Sequence, residues 1–214
     1  LANRSMLSCC NACYSFIDEQ STIIEDIPNK VLSELILIGV LLNMLVVDLR
    51  ATWAPFVVAT AGAEMHGYGG VLAACSPELT RFLATQAYTP ERKFLPSDAE
   101  EEKDELTVAM PLQSKEFKHW FSIKCGKGFH ASKVEVGAVG VALRLLTRNP
   151  RWHRLRCFHL VDALALLHAG RKGRSSAPNF AHGIRVIAAH SLAADIRMHY
   201  GYIPTKWNPS DRAV

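Results

Sequence analysis

Hydrophobic and polar positions divide this chain into short apolar blocks with different periods. Phe56 to Ala59 is apolar and rich in β-branched residues. Gly67, Gly69 and Gly70 follow, and Val71 to Ala74 closes the stretch. This pattern predicts a β-hairpin with a glycine-bearing connection, its first strand central in a sheet and covered on both faces. Val31 to Val47 is apolar with Glu34 and Asn43 inside it; at 17 residues it is short for a membrane span and predicts a buried helix. Ser76 to Pro96 is a polar excursion, and Leu106 to Pro111 and Trp120 to Lys124 are strand candidates. Beyond the loop Gly126-Lys127-Gly128, Lys133 to Thr147 has apolar residues at 134, 138, 141, 142 and 145, the spacing of a one-faced helix, with Ser132 as its expected N-cap. Cys157 to Val161 predicts a strand with Asp162 at its end, and Ala163 to Ala169 a short helix. Gly170 to Asn179 predicts a basic loop, Phe180 to Ala194 a helix, and Ile196 to Ile203 an alternating strand.

This order predicts an α/β fold: a mixed five-stranded sheet, antiparallel at the hairpin and parallel where helices cross over, with helices on both faces. The 214 residues, 49% of them hydrophobic, suffice for one good-sized domain over 51–214 and an N-terminal appendage over 1–50. The domain carries an acidic insertion at about 76–105, with six acids between Asp98 and Glu105. A last helix is expected to open at Asp211 and to be truncated by the end of the chain.

Charge changes the picture more than composition does. Residues 106–214 hold 17 Lys and Arg against five Asp and Glu, whereas residues 1–105 hold seven against 15. A basic body of this kind suits a polyanion such as nucleic acid. Six cysteines lie scattered at 9, 10, 13, 75, 125 and 157. Only Cys10 and Cys13 have metal-like spacing and no second pair follows, so reduced thiols and an intracellular setting, cytoplasm or nucleus, are expected.

Three of the five acids in the basic half take suggestive places. Glu135 lies in the first turn of a helix, Asp162 at the end of a strand, and Asp211 at the opening of the last helix. Taken alone, each is better explained structurally, Glu135 as compensation of a helix dipole and Asp162 and Asp211 as N-caps. Together at one sheet edge, carboxylates repel unless a cation holds them, and Mg2+ suits oxygen ligands and phosphates.

Four segments then resemble the ribonuclease H domain of retroelement reverse transcriptases, in particular DIRS-like and dinoflagellate-type elements. They are the lead-in and hairpin DLRATWAPFVVAT…GYGGVLAA, the helix KVEVGAVGVALRLL, the stretch FHLVDALALLHAGRKGRSSAPNF, and LAADIRMHYGYIPTKWNPSD, covering about residues 45–212. The resemblance implies a ribonuclease H-like fold and a two-metal nuclease using Mg2+ (two ions, or Mn2+) to hydrolyse the RNA strand of an RNA–DNA hybrid. Glu135, Asp162 and Asp211 match three of the family's four catalytic, metal-binding carboxylates. Lys172, Arg174, Ser175 and Ser176 match a loop suited to a phosphate backbone, although a plain surface loop has the same composition. Residues 1–50 would be the tail of an adjoining reverse transcriptase, from its thumb or connection region. One position departs from the family: where its first-strand Asp stands, this chain has Ala61. Glu64, the nearest carboxylate, lies three residues on and is expected to point to the opposite side. Two other readings stay open, a catalytically silent remnant that binds nucleic acid or supports a polymerase, and a resolvase- or integrase-like DNA nuclease.

Overall fold

The computed structural model describes residues 4–19, 26–45, 48, 50–89, 91–101, 104–126 and 130–213. Lys127 and Gly128 of the glycine loop, Glu102 and Lys103 of the acidic run, Val46 and Val47, Leu49 of the lead-in, and residues 20–25 of the acidic patch lie outside the described residues. The fold is α/β, built on a seven-stranded mixed sheet rather than the five strands expected. Strands β1 (Thr52–Ala63), β2 (Gly67–Ala74), β3 (Lys93–Leu95), β4 (Thr107–Ala109), β5 (Lys118–Ile123), β6 (Leu155–Val161) and β7 (Arg197–Tyr202) lie in the order β4-β3-β7-β6-β1-β2-β5. The β1–β2 and β2–β5 pairs are antiparallel, and the β1–β6, β6–β7, β7–β3 and β3–β4 pairs are parallel.

The expected hairpin is present and β1 is a central strand. Its side chains alternate between two cores, as strand geometry requires. Ala54, Phe56 and Val58 face one core, and Val57 and Ala59 face the other. Both faces are covered, so burial runs unbroken from Phe56 to Ala61. The turn into β2 needs glycine at Gly67: its φ is +119°, and a Cβ there would lie 2.1 Å from the Ile123 carbonyl oxygen.

Three helices supply the first core: α4 (Ala131–Thr147), α5 (Leu164–Lys172) and α6 (Pro178–Ala194). His130, not Ser132, caps α4; its ring nitrogen accepts the Ser132 N–H at 3.2 Å. Helix α3 (Pro77–Gln86) covers the second core through Leu83, Ala84 and Ala87, where a polar excursion was expected. Ser76 caps α3 by accepting the Leu79 N–H, Pro77 occupies its first position, and Glu78 complements the N-terminal dipole. The Thr80 hydroxyl donates to the Ala54 carbonyl at 2.8 Å and pins α3 to β1.

The two extra strands continue the sheet beyond β7. The β3–β7 ladder rests on one residue pair, Lys93 with Tyr202. Side chains do more of the holding, since Phe94 is fully buried with its ring 5.1 Å from that of Phe158. The acidic run is partly tied into this edge, with Lys93 Nζ 3.2 Å from Glu101 and 3.4 Å from Asp104.

At the N-terminus lie α1 (Asn11–Glu19) and α2 (Asn29–Leu41), preceded by a 3-10 turn, Arg4–Cys9, that packs on α6 and α5. Glu34, the acid inside the apolar stretch, accepts the Ala12 and Cys13 N–H groups at 2.9 Å each and so caps α1. Helix α2 is not the buried helix its composition suggests. Val31 is buried, but Leu35, Ile36, Val40 and Leu42 are exposed, because α2 packs on one side only, against α1 and the preceding 3-10 turn. Among the described residues no helix is long and apolar enough to cross a membrane. The chain's last element is a 3-10 turn, Pro209–Ala213, rather than an α-helix. All six cysteines are free thiols.

The contrast between α4 and α2 is measurable. Leu143→Ala, at a fully buried position, is expected to lower unfolding free energy by about 2–5 kcal/mol. Leu35→Ala, at a position 46% exposed, is expected to change it by about 0.5 kcal/mol or less. Urea unfolding of both variants checks the difference.

Candidate active site

The site is assembled at the C-terminal ends of β1 and β6, where an open parallel sheet leaves room between its crossover connections. Asp162 follows the last residue of β6. Glu135 projects from the first turns of α4, and Asp211 lies in the closing 3-10 turn.

Two contacts set these positions. The first is the approach of α4 to β1. A Cβ on Gly62 would lie 2.6 Å from the Val134 carbonyl carbon and 2.7 Å from the Glu135 nitrogen. Only glycine lets strand and helix backbones meet this closely, and the contact brings Glu135 over the end of β1. The second is a clasp made by Asn208. Its amide donates to the Thr60 carbonyl at 3.3 Å, while its Oδ1 accepts the Ser210 hydroxyl at 2.6 Å and the Ser210 N–H at 3.2 Å. The side chain thus fastens the Asn208-Pro209-Ser210-Asp211 turn to β1 and delivers Asp211 to the sheet edge. Thr60 is itself fixed by a 2.8 Å hydrogen bond to the buried His159 ring. Burial pushes His159 down to about 3, so this imidazole stays neutral and structural.

The three acids act on one another. Burial raises Glu135 to about 8, with the charges of Asp162 and Asp211 adding to the rise while the Gly62 backbone N–H opposes it. Burial and the charge of Asp162 push Asp211 up to about 6, although its side chain keeps a face open to solvent. Burial also raises Asp162, against the favourable polar groups of Asn208 and Thr205. The Asp162 Oδ1 is buried with no hydrogen-bond partner. This is a group of carboxylates short of positive charge. Ala61 completes the edge at β1 with a methyl group, 4% exposed.

In comparisons with family models, curated proteins and solved structures, none matches the chain.

Glu64 does not stand in for the acid missing at position 61. It sits past the strand, and its Oε1 accepts the Ala131 N–H at 2.6 Å, so its carboxylate serves the N-terminus of α4. Among the described residues no three His, Cys, Asp or Glu side chains stand grouped to hold a metal ion as they are. The acids nonetheless have the chemistry of a hard-cation site: oxygen donors only, one of them buried and unpartnered. That set suits one divalent cation. It does not suit a bridged pair, because the strand between Asp162 and Glu135 contributes no carboxylate.

The predicted phosphate loop lies at the far end of α5 from Asp162. Lys172 and Ser176 are exposed there. Arg174 instead stacks on the Tyr14 ring at 3.9 Å, and Ser175 Oγ accepts the Ala177 N–H at 3.2 Å to shape the turn into α6. Sequence reasoning missed Gly62, Thr60, Asn208 and His159 as positioning residues. Of these, Asn208 had a signal, since an Asn two residues before a Ser and next to Pro is a local turn-former.

The raised carboxylates make stability depend on pH. A carboxyl whose folded pKa exceeds its unfolded value binds its proton more tightly when folded. The contribution of Glu135 is therefore fully present below about 4.5 and lost as pH rises through about 8. Glu135→Gln is expected to flatten this decline, leaving the variant more stable than the parent at pH 9 and little changed at pH 4. Thermal unfolding across that range in metal-free buffer checks it.

Proposed function

We propose that this chain is a ribonuclease H-like domain of a retroelement polyprotein. Its ancestral reaction is hydrolysis of the RNA strand of an RNA–DNA hybrid, and its activity is impaired by Ala61. The observation that carries this reading is the convergence of Glu135, Asp162 and Asp211 from three separate elements onto one sheet edge inside a basic body. The element order supports it: β1, β2, β5, α4, β6, α5, α6, β7 and the closing turn follow the sequence that the resemblance implies. The extra strands β3 and β4 lie outside that set, at the far edge.

Glu135, Asp162 and Asp211 would hold Mg2+ or Mn2+, which when bound supplies Lewis-acid stabilisation of a phosphoryl oxygen and a more acidic bound water. The chain's own residues have other tasks. Asn208 and Thr60 hold Asp211 in place. Gly62 sets Glu135 against β1. The cations of residues 106–214 meet phosphates and position the duplex without reading its sequence. The buried sheet edge limits water, which strengthens each charge interaction there.

A silent, nucleic-acid-binding form of the same fold is the second reading. Two observations favour it: the methyl of Ala61 where a carboxylate is needed, and the commitment of Glu64 to capping α4.

The test compares the chain with Ala61→Asp on an end-labelled RNA–DNA hybrid in Mg2+ or Mn2+. We expect Ala61→Asp to cleave at least about 100-fold faster than the parent, in keeping with the size of single-group contributions to charge stabilisation. Cleavage by neither, with hybrid still bound, favours the silent reading. Preferential cutting of DNA junctions would point to a resolvase-like enzyme, and failure to cleave or bind any of these substrates would sink the nucleic-acid reading. Binding by the basic half is expected to weaken by an order of magnitude or more between 50 and 200 mM salt, through counterion release. A salt titration of hybrid affinity checks this.

A further inference from the structure

Away from the acids, α4 and α6 enclose a groove of about 680 Å³. That is the size range of sites for small organic ligands. Glu135 is not among the residues that line it, and the groove belongs to a different face of α4. Its floor is apolar, formed by the Tyr68 ring, Val136 and Val186. Glycines let its walls approach one another: a Cβ on Gly183 would lie 2.5 Å from Val136 Cγ1. Gly137, Gly140 and Gly183 stand on the facing walls, and a Cβ on Gly137 would lie 2.8 Å from the Tyr68 ring.

The rim has one sign of charge. Lys133 and Arg144 lie at opposite ends of the α4 wall, about 16 Å apart at ~1.5 Å per helical residue. On the α6 wall His182 and His190 add imidazoles. No lining residue is an Asp or Glu, and neither Lys133 nor Arg144 has an ion-pair partner among the described residues. Burial, and then the Arg144 charge across the groove, lower the His190 imidazole below its ordinary value.

We propose that the α4–α6 groove is a second ligand site, one that binds an elongated organic anion with an apolar or aromatic body lying on Tyr68, Val136 and Val186 and with acidic groups meeting Lys133 and Arg144. Two sources share this chemistry, a short oligonucleotide and a long-chain dicarboxylate. The site is independent of the nuclease reading and does not require a functional acid cluster.

The probe pair is 8-anilinonaphthalene-1-sulfonate and its uncharged relative N-phenyl-1-naphthylamine, titrated by fluorescence against the full chain. We expect the sulfonate to bind saturably and at least tenfold more tightly than the neutral probe. The Lys133→Gln/Arg144→Gln double variant is expected to remove that preference and leave neutral-probe affinity unchanged. Gly140→Leu fills the groove: a Cβ at Gly140 meets only Val186 Cγ1 at 3.7 Å, an ordinary contact, and leucine favours the helix over glycine. This variant is expected to keep the parent's circular dichroism and thermal midpoint and to lose at least tenfold in sulfonate affinity. Displacement of the sulfonate by a 5′-phosphorylated thymidine dinucleotide assigns the oligonucleotide source, and displacement by dodecanedioate assigns the dicarboxylate. The proposal is overturned if folded Gly140→Leu binds the sulfonate as the parent does, if the two probes bind equally, or if neither competitor displaces it.

Discussion

The backbone contact between Gly62 and the first turn of α4 is the constraint on which the rest of the structure depends. A strand and a helix meet there without an intervening side chain. Were they separated by even a methyl group, α4 would move outward, and with it the helix face that carries Val134, Ala138, Val139, Ala142 and Leu143 into the core. The same contact determines where Glu135 lands. A packing requirement of the core and a geometric requirement of the candidate site are thus met by one glycine.

Around that contact the molecule gathers like charges at a real energetic cost. Three carboxylates at one edge raise one another's affinity for protons, and one oxygen of Asp162 is left without a partner. Structural side chains do not need such an arrangement. Where acids serve structure in this protein they are individually satisfied, as Glu34 is by the α1 N-terminus and Glu64 by the start of α4. The contrast separates acids that cap helices from acids crowded together at the sheet edge. It also explains why Glu64, near in sequence, is chemically occupied elsewhere.

Much of this was legible in the residues, for identifiable reasons. The hairpin, α4, β6, α6 and β7 announce themselves through long apolar runs or clear periodicity, and each is where its pattern puts it. Glu135, Asp162 and Asp211 were legible because acids are scarce in the basic half and stand at element ends. Two elements misled. Helix α3 was hidden by its polar composition although Ser76-Pro77-Glu78 is a good helix start. Helix α2 is apolar yet exposed, since composition reports what a segment would bury and not whether anything covers it. Strand β4 falls inside the strand candidate at 106–111, whereas β3, only three residues long, is too short to show a period. Arg174 illustrates a different limit: its type suits phosphate, but a neighbouring ring, Tyr14, reaches it across a sequence separation no local pattern reveals.

The way β3 joins the sheet bears on how the far edge is coupled to the acids. An element held by a long hydrogen-bonded ladder shifts every partner when its register slips. Strand β3 has a single backbone pair with β7 and is located instead by Phe94 seated against Phe158. Buried Phe94 and Leu95 seat it, and the acidic segment that follows is tied to the closing turns, where Glu101 accepts the Trp207 Nε1–H at 2.6 Å. The far edge is thereby joined to the edge bearing the acids through the turns around Trp207 and Asn208, which are themselves fastened to β1 at Thr60.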